Sequence, residues 1–405
     1  MTNHHAGHGH QAKSTGQAIS SVPLLDIGRG NTPLKQEFMD AFEQVLDSGR
    51  FLFGPEVFEL EAACAEASQV PFGIGCASGS DALLLSLMAL DIGPGDEVIV
   101  PSFTFFATAS AVWRLGAEPV FVDIDPATYN LNPALIEDKL TDRTAAIIPV
   151  HLFGQCADMT AIHRIAKDND LAVIEDAAQA IFAEHRGRRA GGMGTVGCIS
   201  FYPTKNLGGM GDGGMLVTSD EAMAHKLRLL RGHGMEPRYY HQVVGINSRL
   251  DTLQAAALMV KMKHMQAWTA ARQENAARYD QLFTDCGLDD VVSLPFEAKG
   301  SVHAWNQYTI RVPDGRRDAL RQHLADHKIG SEIYYPIPLH QQQCFQSIRD
   351  KVGPLPETEK AAAEVLSLPI FPELTATEQE SVVAAIGQFY GVEAGLAVPT
   401  RRKSA

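Results

Sequence analysis

Lys205 stands in SFYPTKNLGGMGDGG (residues 200–214), between a β-rich apolar stretch and glycines 208, 209, 211, 213 and 214. Glycines at that density mean a backbone held in unusual conformations or pressed against a ligand. A lysine in a loop is ordinarily solvated surface. One enclosed between an apolar strand and such a loop loses solvation, its pKa falls, and its free amine becomes available to carbonyl groups. The GxGG within the cluster lacks the strand context and spacing of a dinucleotide fingerprint, and that reading is rejected.

Three other segments carry candidate chemistry. In LAVIEDAAQA (171–180), Asp176 ends an apolar strand and is followed by small residues that let a flat ligand approach. An acid there is a catalytic group, a metal ligand or, the plainer reading, one half of a buried ion pair. In GCASGSDALLLSL (75–87), a strand passes through a tight turn into an apolar helix. The free N–H groups of a helix start, with the Ser78 and Ser80 hydroxyls, suit a phosphate; a plain serine N-cap explains the same residues. In VGINSRLDTLQAA (244–256), Asn247 and Arg249 precede a helix that they either cap or reach past, and capping is the simpler account.

The elements that must position these groups follow from periodicity. Strand-length apolar runs FGIGCA, DEVIV, PVFVD, AAIIPV, LAVIE, VGCISF and GMLVTS alternate with helical patterns ALLLSLMAL, TFFATASAVWRL, PALIEDKL, MTAIHRIAKDN and EAMAHKLRLLR. Such alternation predicts an α/β domain with a largely parallel sheet covered on both faces. In such sheets ligands gather at the carboxyl ends of the strands. One long helix is expected from Leu250 to about Ala271, then a change to strand–helix–strand signals at 307–312, 317–328 and 331–335. The division is therefore a polar, unstructured His-rich tail over 1–20, a large domain over 21–269, a smaller domain over 270–395 and a tail over 396–405.

Composition narrows the function classes. Across 405 residues the net charge is −14, which disfavours non-specific attraction to nucleic acid or an anionic bilayer. No apolar run approaches the roughly 18 residues of a membrane span, and no signal peptide is visible, so the cytoplasm is the expected location. The six cysteines (64, 76, 156, 198, 286, 344) show neither CxxC pairing nor regular spacing, which predicts reduced thiols and no zinc site. His4, His5, His8 and His10 have no scaffold to fix metal geometry.

Taken in order, PEVFELE (55–61), ASGSDAL (77–83), GPGDEVIVPSFTFFAT (93–108), VDIDPATYNL (122–131), VHLFGQCADM (150–159), EDAAQA (175–180), SFYPTKNLGGMGDGG, GINSRLDTLQAA and YYPIPLH (334–340) resemble the DegT/DnrJ/EryC1/StrS family. These are nucleotide-sugar aminotransferases of the type I pyridoxal-phosphate fold, and the resemblance runs from about residue 22 to about 390. It implies a large domain with a mostly parallel seven-stranded sheet and a smaller C-terminal α+β domain. It implies pyridoxal 5′-phosphate bound to Lys205 as a Schiff base, with Asp176 pairing the pyridine nitrogen, which leaves the ring cationic as an electron sink. Gln179 would lie beside the ring oxygen and Phe105 on the ring face opposite the lysine. Ser78, Gly79, Ser80 and Ser200 would hold the phosphate, joined by Asn247 of a partner subunit in a homodimer with shared sites.

Further implied are glutamate as donor and a UDP- or dTDP-linked 3-keto hexose as acceptor, in amino-sugar or surface-polysaccharide synthesis. Arg231, Arg249, Tyr334, Tyr335 and His340 are the expected substrate contacts. Some relatives that use uronic acids place an arginine just before the HG at 233–234 and a histidine at 334; Gly232 and Tyr334 stand there, with Arg231 as the fallback. A neutral sugar is therefore expected. The alternatives are a sugar dehydratase, in which histidine typically replaces the lysine, and a regulatory protein of the same fold, expected to lose Lys205 or Asp176.

Overall fold

The computed structural model describes residues 21–392. The expectations for the two tails, including the four N-terminal histidines, lie outside the described residues. All seven expected strands form one sheet: β1 (Phe72–Cys76), β2 (Glu97–Pro101), β3 (Glu118–Val122), β4 (Thr144–Ile147), β5 (Ala172–Asp176), β6 (Val196–Ser200) and β7 (Gly214–Thr218). Their order is β1-β7-β6-β5-β4-β2-β3. β7 runs antiparallel to both its neighbours, and the other pairings are parallel.

Helices cover both faces because each brings an apolar stripe. α1 (Gly79–Ala89), capped by Ser78, is apolar almost all round and is sandwiched accordingly. α2 (Ala107–Arg114) follows β2. α3 (Met159–Asp168) starts at Asp158, whose carboxylate takes the Ala161 N–H, and buries Met159, Ile162, Ile165 and Ala166. α4 (Glu221–Leu230), capped by Asp220, buries Ala224, Leu227 and Leu230. No described helix is long and apolar enough to cross a membrane.

Four local expectations need correction. PALIEDKL forms two 3-10 turns, Pro133–Leu135 and Glu137–Lys139, because it offers the core little besides Ile136. The single long helix is two, α5 (Thr252–Met262) and α6 (Met265–Asp285), broken at Lys263–His264. The break re-aims the chain: Met265 packs in the core under the sheet, whereas Ala276, Tyr279 and Phe283 enter the C-terminal core. The expected domain boundary at 269/270 thus lies inside α6. Residues 331–335 make only a bridge from Glu332 to Ser367, since Pro336 and Pro338 cannot extend a ladder. The strand at 308–311 pairs instead with Val365–Leu368, a strand not foreseen.

The turn between β1 and α1 is braced from below by a buried ion pair. Arg231, which follows α4, donates from Nη1 to Glu61 Oε1 at 2.5 Å and to the Gly75 carbonyl at 2.7 Å. Glu61 also accepts the Gly75 N–H at 2.9 Å, and both side chains are almost wholly buried. Removing one member of such a pair strands the other charge. Arg231→Met is expected to cost about 3–5 kcal/mol of folding stability, measured as a lowered urea midpoint.

Candidate active site

The carboxyl ends of β1, β5 and β6 deliver the candidate residues to one rim of the sheet. Asp176 ends β5 and is 5% exposed. Its Oδ2 accepts the Thr108 hydroxyl at 2.8 Å and its Oδ1 the Ala178 N–H at 3.3 Å. Burial pushes its pKa up, opposed first by the Thr108 hydrogen bond and also by Lys205 and His151. An acid in this setting is complementary to a cationic or N–H-bearing partner.

Lys205 sits in the loop after β6, with its N–H donated to the Tyr202 carbonyl at 2.8 Å. Burial lowers its amine to about 8, against the pull of Asp176. The loop doubles back so closely that a Cβ on Gly208 would stand 2.2 Å from the Pro203 carbonyl oxygen. α5 clamps it. Lys261 Nζ donates to the Gly208 carbonyl at 2.7 Å, and Gln254 Oε1 accepts the Met210 N–H at 2.8 Å. Neither clamp was anticipated; the one signal was a lysine and a glutamine on a helix whose neighbours are apolar.

The anion candidates meet beside them. Ser78 Oγ accepts the Asp81 N–H at 3.1 Å, so it is a true N-cap. The Gly79 and Ser80 N–H groups lie before the first helical hydrogen bond and remain free to donate. A Cβ on Gly79 would come within 2.6 Å of Ser200 Cβ, and one on Gly214 within 2.4 Å of the Ser78 carbonyl carbon. These contacts press the helix start against the ends of β6 and β7, so an anion there meets N–H and hydroxyl donors together.

Gln179 and Phe105 complete the rim. Gln179 Oε1 accepts the Phe153 N–H at 2.6 Å, which turns its amide nitrogen toward the Tyr335 hydroxyl at 3.3 Å. The Phe105 ring is 56% exposed and lies 6.2 Å from the Tyr335 ring, which itself stands 6.1 Å from Phe103. Tyr334, half-buried, adjoins Tyr335. Burial raises the Tyr335 pKa, with Asp176 contributing, so the phenol stays protonated.

Other expected residues lie elsewhere or act differently. His340 is buried, with Nδ1 2.7 Å from Ser102 Oγ and Nε2 3.4 Å from Glu359. Both ring nitrogens are engaged, so it ties β2 to the C-terminal segment instead of offering a substrate contact. Arg231 is likewise spent on Glu61 and Gly75 and is not a free cation for a sugar carboxylate. The capping account of Asn247 and Arg249 fails, because the N-cap position of α5 is Asp251. Asn247 is exposed in an antiparallel bridge with Gly232, while the Ser248 hydroxyl next to it accepts the Ala77 N–H at 3.1 Å. Arg249 is half-buried.

Comparison with known proteins identifies the family. A family model described as the DegT/DnrJ/EryC1/StrS aminotransferase family matches residues 33–387. A Geobacillus stearothermophilus protein named "Pleiotropic regulatory protein" is 51% identical over 91% of this chain and 99% of its own length. The UDP-N-acetyl-3-dehydro-alpha-D-glucosamine 3-aminotransferase of Acidithiobacillus ferrooxidans is 46% identical, over 91% of this chain and 97% of its own. The UDP-2-acetamido-2-deoxy-3-oxo-D-glucuronate aminotransferase of Pseudomonas aeruginosa is 42% identical, over 90% and 99%. Among solved structures, DesV of S. venezuelae in complex with a ketimine intermediate superposes with a TM-score of 0.88 at 41% identity, covering 92% of this chain and 99% of that one. The chain belongs to the DegT/DnrJ/EryC1/StrS aminotransferase family.

Proposed function

We propose that this protein is a pyridoxal-phosphate-dependent transaminase that moves an amino group from glutamate to C3 of a nucleoside-diphosphate keto-hexose. The observation that carries this reading is the convergence of Asp176, the low-pKa amine of Lys205 and the Gly79–Ser80–Ser200 donor cluster on one rim. The cofactor carries an anionic end, a basic ring nitrogen and an aldehyde, and the residues present match all three. The absence of a Cβ at Gly79 and Gly214 lets the helix start close on Ser200 and on the start of β7, which brings the N–H and hydroxyl donors together. When bound, pyridoxal phosphate supplies the carbonyl that takes the amino group and the ring that holds an electron pair.

The chain's own residues supply the rest. Asp176 holds the proton on the ring nitrogen by charge pairing. The neutral Lys205 amine would accept the proton from the donor Cα on its Nζ and hold it for return to the reacting atoms. Phe105 and Tyr335 would flank the ring, and Gln179, its Oε1 held by the Phe153 N–H, would offer its remaining amide N–H to the ring oxygen. Substrate contacts are assigned to Tyr334, Tyr335 and the half-buried Arg249. Two relatives named for action at the 3-position support the C3 assignment. A regulatory role is suggested by the names of two relatives. Retention of both Lys205 and Asp176, placed together by the fold, favours the enzyme.

The homodimer reading gains support from the surface. Phe51, Leu52, Phe53 and Phe58 expose large apolar area, as do Tyr239, Tyr240 and Val244. The Phe51 carbonyl accepts the Thr252 N–H at 3.0 Å, so the first patch adjoins the start of α5, just after Asn247. A second copy covering it would bring Asn247 to a neighbouring phosphate site. A cytoplasmic setting is part of the same reading.

Borohydride reduction of the loaded protein is expected to fix a phosphopyridoxyl group on Lys205. Lys205→Ala should lose turnover, and cofactor capture by the apoprotein should quicken as pH rises through about 8, where the amine becomes neutral. Asp176→Asn should fold and lose most activity. A tag on another lysine overturns the assignment.

Mixing tests the shared site. Heterodimers of Lys205→Ala with Asn247→Ala should recover activity, because one of their two sites would carry neither defect. Heterodimers that form and stay inactive place Asn247 in its own subunit's site.

Turnover on a 3-keto hexose nucleotide is expected to exceed that on the matching hexuronate. Arg231 is committed to Glu61, and an uncompensated carboxylate in the site costs several kcal/mol. A uronate preference abolished by Arg249→Ala would reverse this.

A further inference from the structure

We infer that Thr108, backed by Thr104, is a positioning residue that keeps the Asp176 carboxylate ionised and oriented toward the ring nitrogen; this rests on the cofactor reading above. The hydroxyl of a threonine in a helix ordinarily bonds a carbonyl of its own preceding turn. Thr108, in the first turn of α2, instead reaches across to β5 and meets Asp176 Oδ2 at 2.8 Å. Thr104 Oγ1 stands 3.2 Å from Thr108 Oγ1. Both threonines are buried, at 2% exposure for Thr104 and none for Thr108, so water has no access to replace either hydroxyl.

Proton counting fixes the direction of the chain. An ionised carboxylate only accepts, so the single Thr108 hydrogen is given to Asp176. The Thr108 oxygen must then accept from Thr104. The other Asp176 oxygen has only the longer 3.3 Å bond from Ala178. Thr108 is therefore the strongest neutral donor holding this carboxylate, and it leaves acceptor capacity for an N–H partner. The two threonines bracket Phe105, so one turn of chain sets both the aromatic face and the aim of the acid.

The charged and titratable groups facing Asp176 from the packed elements are Lys205, His151, Cys198 and Tyr335. Lys205 and His151 favour its ionised form. Burial opposes it, so loss of the Thr108 bond moves the carboxyl further toward the protonated form, and the effect grows as pH falls.

The test is titration of apoprotein with pyridoxal phosphate, followed by absorbance and by tryptophan fluorescence over a range of pH, for wild type, Thr108→Val, Thr108→Ser and Thr104→Val. Circular dichroism checks that each folds. Thr108→Val is expected to bind about 10-fold or more weakly, most strongly impaired at low pH and recovering as pH rises. Thr108→Ser should stay within about 3-fold of wild type, since the hydroxyl is kept, and Thr104→Val should fall between. Equal affinity and pH profile for Thr108→Val and wild type overturn the inference, as does a Thr108→Ser as impaired as Thr108→Val. If Thr108→Val fails to fold, a Thr104→Val profile identical to wild type overturns it. Wild-type protein that takes up no pyridoxal phosphate removes the cofactor reading itself, and the inference with it.

Discussion

Desolvation acts on two opposite charges at the rim of the sheet, and the rest of the site is arranged around that. Burial disfavours the charged form of any group, so it raises the pKa of Asp176 and lowers that of Lys205. For the amine the result is useful as it stands, because a neutral amine near pH 8 is the reactive species. For the acid the same burial is harmful unless donors surround it. Thr108 and Ala178 supply those donors, and Lys205 adds compensating charge only while it is protonated. One dry pocket can thus hold a neutral base and an ionised acid side by side only because the acid alone receives hydrogen bonds.

The anion cradle proposed at the start of α1 depends on absent volume. Backbone N–H groups at the start of α1 can serve a phosphate only if the strand ends next to them come close enough to add hydroxyls and leave room. Gly79 and Gly214 make that approach possible, since a Cβ on either would collide with Ser200 or with Ser78. The Glu61–Arg231 pair below secures Gly75 and so the strand feeding the turn. A charge expected to face a sugar is used to hold the floor of the site instead.

The C-terminal region participates in the site as well as closing it. Its core is continuous with Phe103, Tyr129 and Phe153 from the loops at the sheet rim. Phe153, at a φ of 59°, directs its N–H to Gln179, and its carbonyl accepts the Asn306 N–H at 2.9 Å. The amide of Gln179 is thereby oriented by backbone shared between the two regions. Tyr335 reaches the rim from the same side. A left-handed backbone at a bulky residue costs of order 1–3 kcal/mol and persists where its surroundings over-determine it.

Short-range patterns settled much of this protein in advance. Seven apolar runs were enough to name the strands of the sheet, because strand burial and helix amphipathy leave local periodic traces. Asp176 and Lys205 stood out by their positions at a strand end and in a glycine-dense loop. Thr108, Lys261 and Ser248 did not, because a hydroxyl or an amine in the sequence carries no sign of which distant atom it will meet. Arg231 and His340 were misjudged for the same reason: their partners, Glu61 and Ser102, are 170 and 238 residues away. The break at Lys263–His264 was also invisible, since the apolar pattern continues across it and only the presence of two separate cores tells the chain where to turn. Local chemistry named the elements and singled out Asp176 and Lys205; long-range packing decided which polar groups reach the rim and which support it.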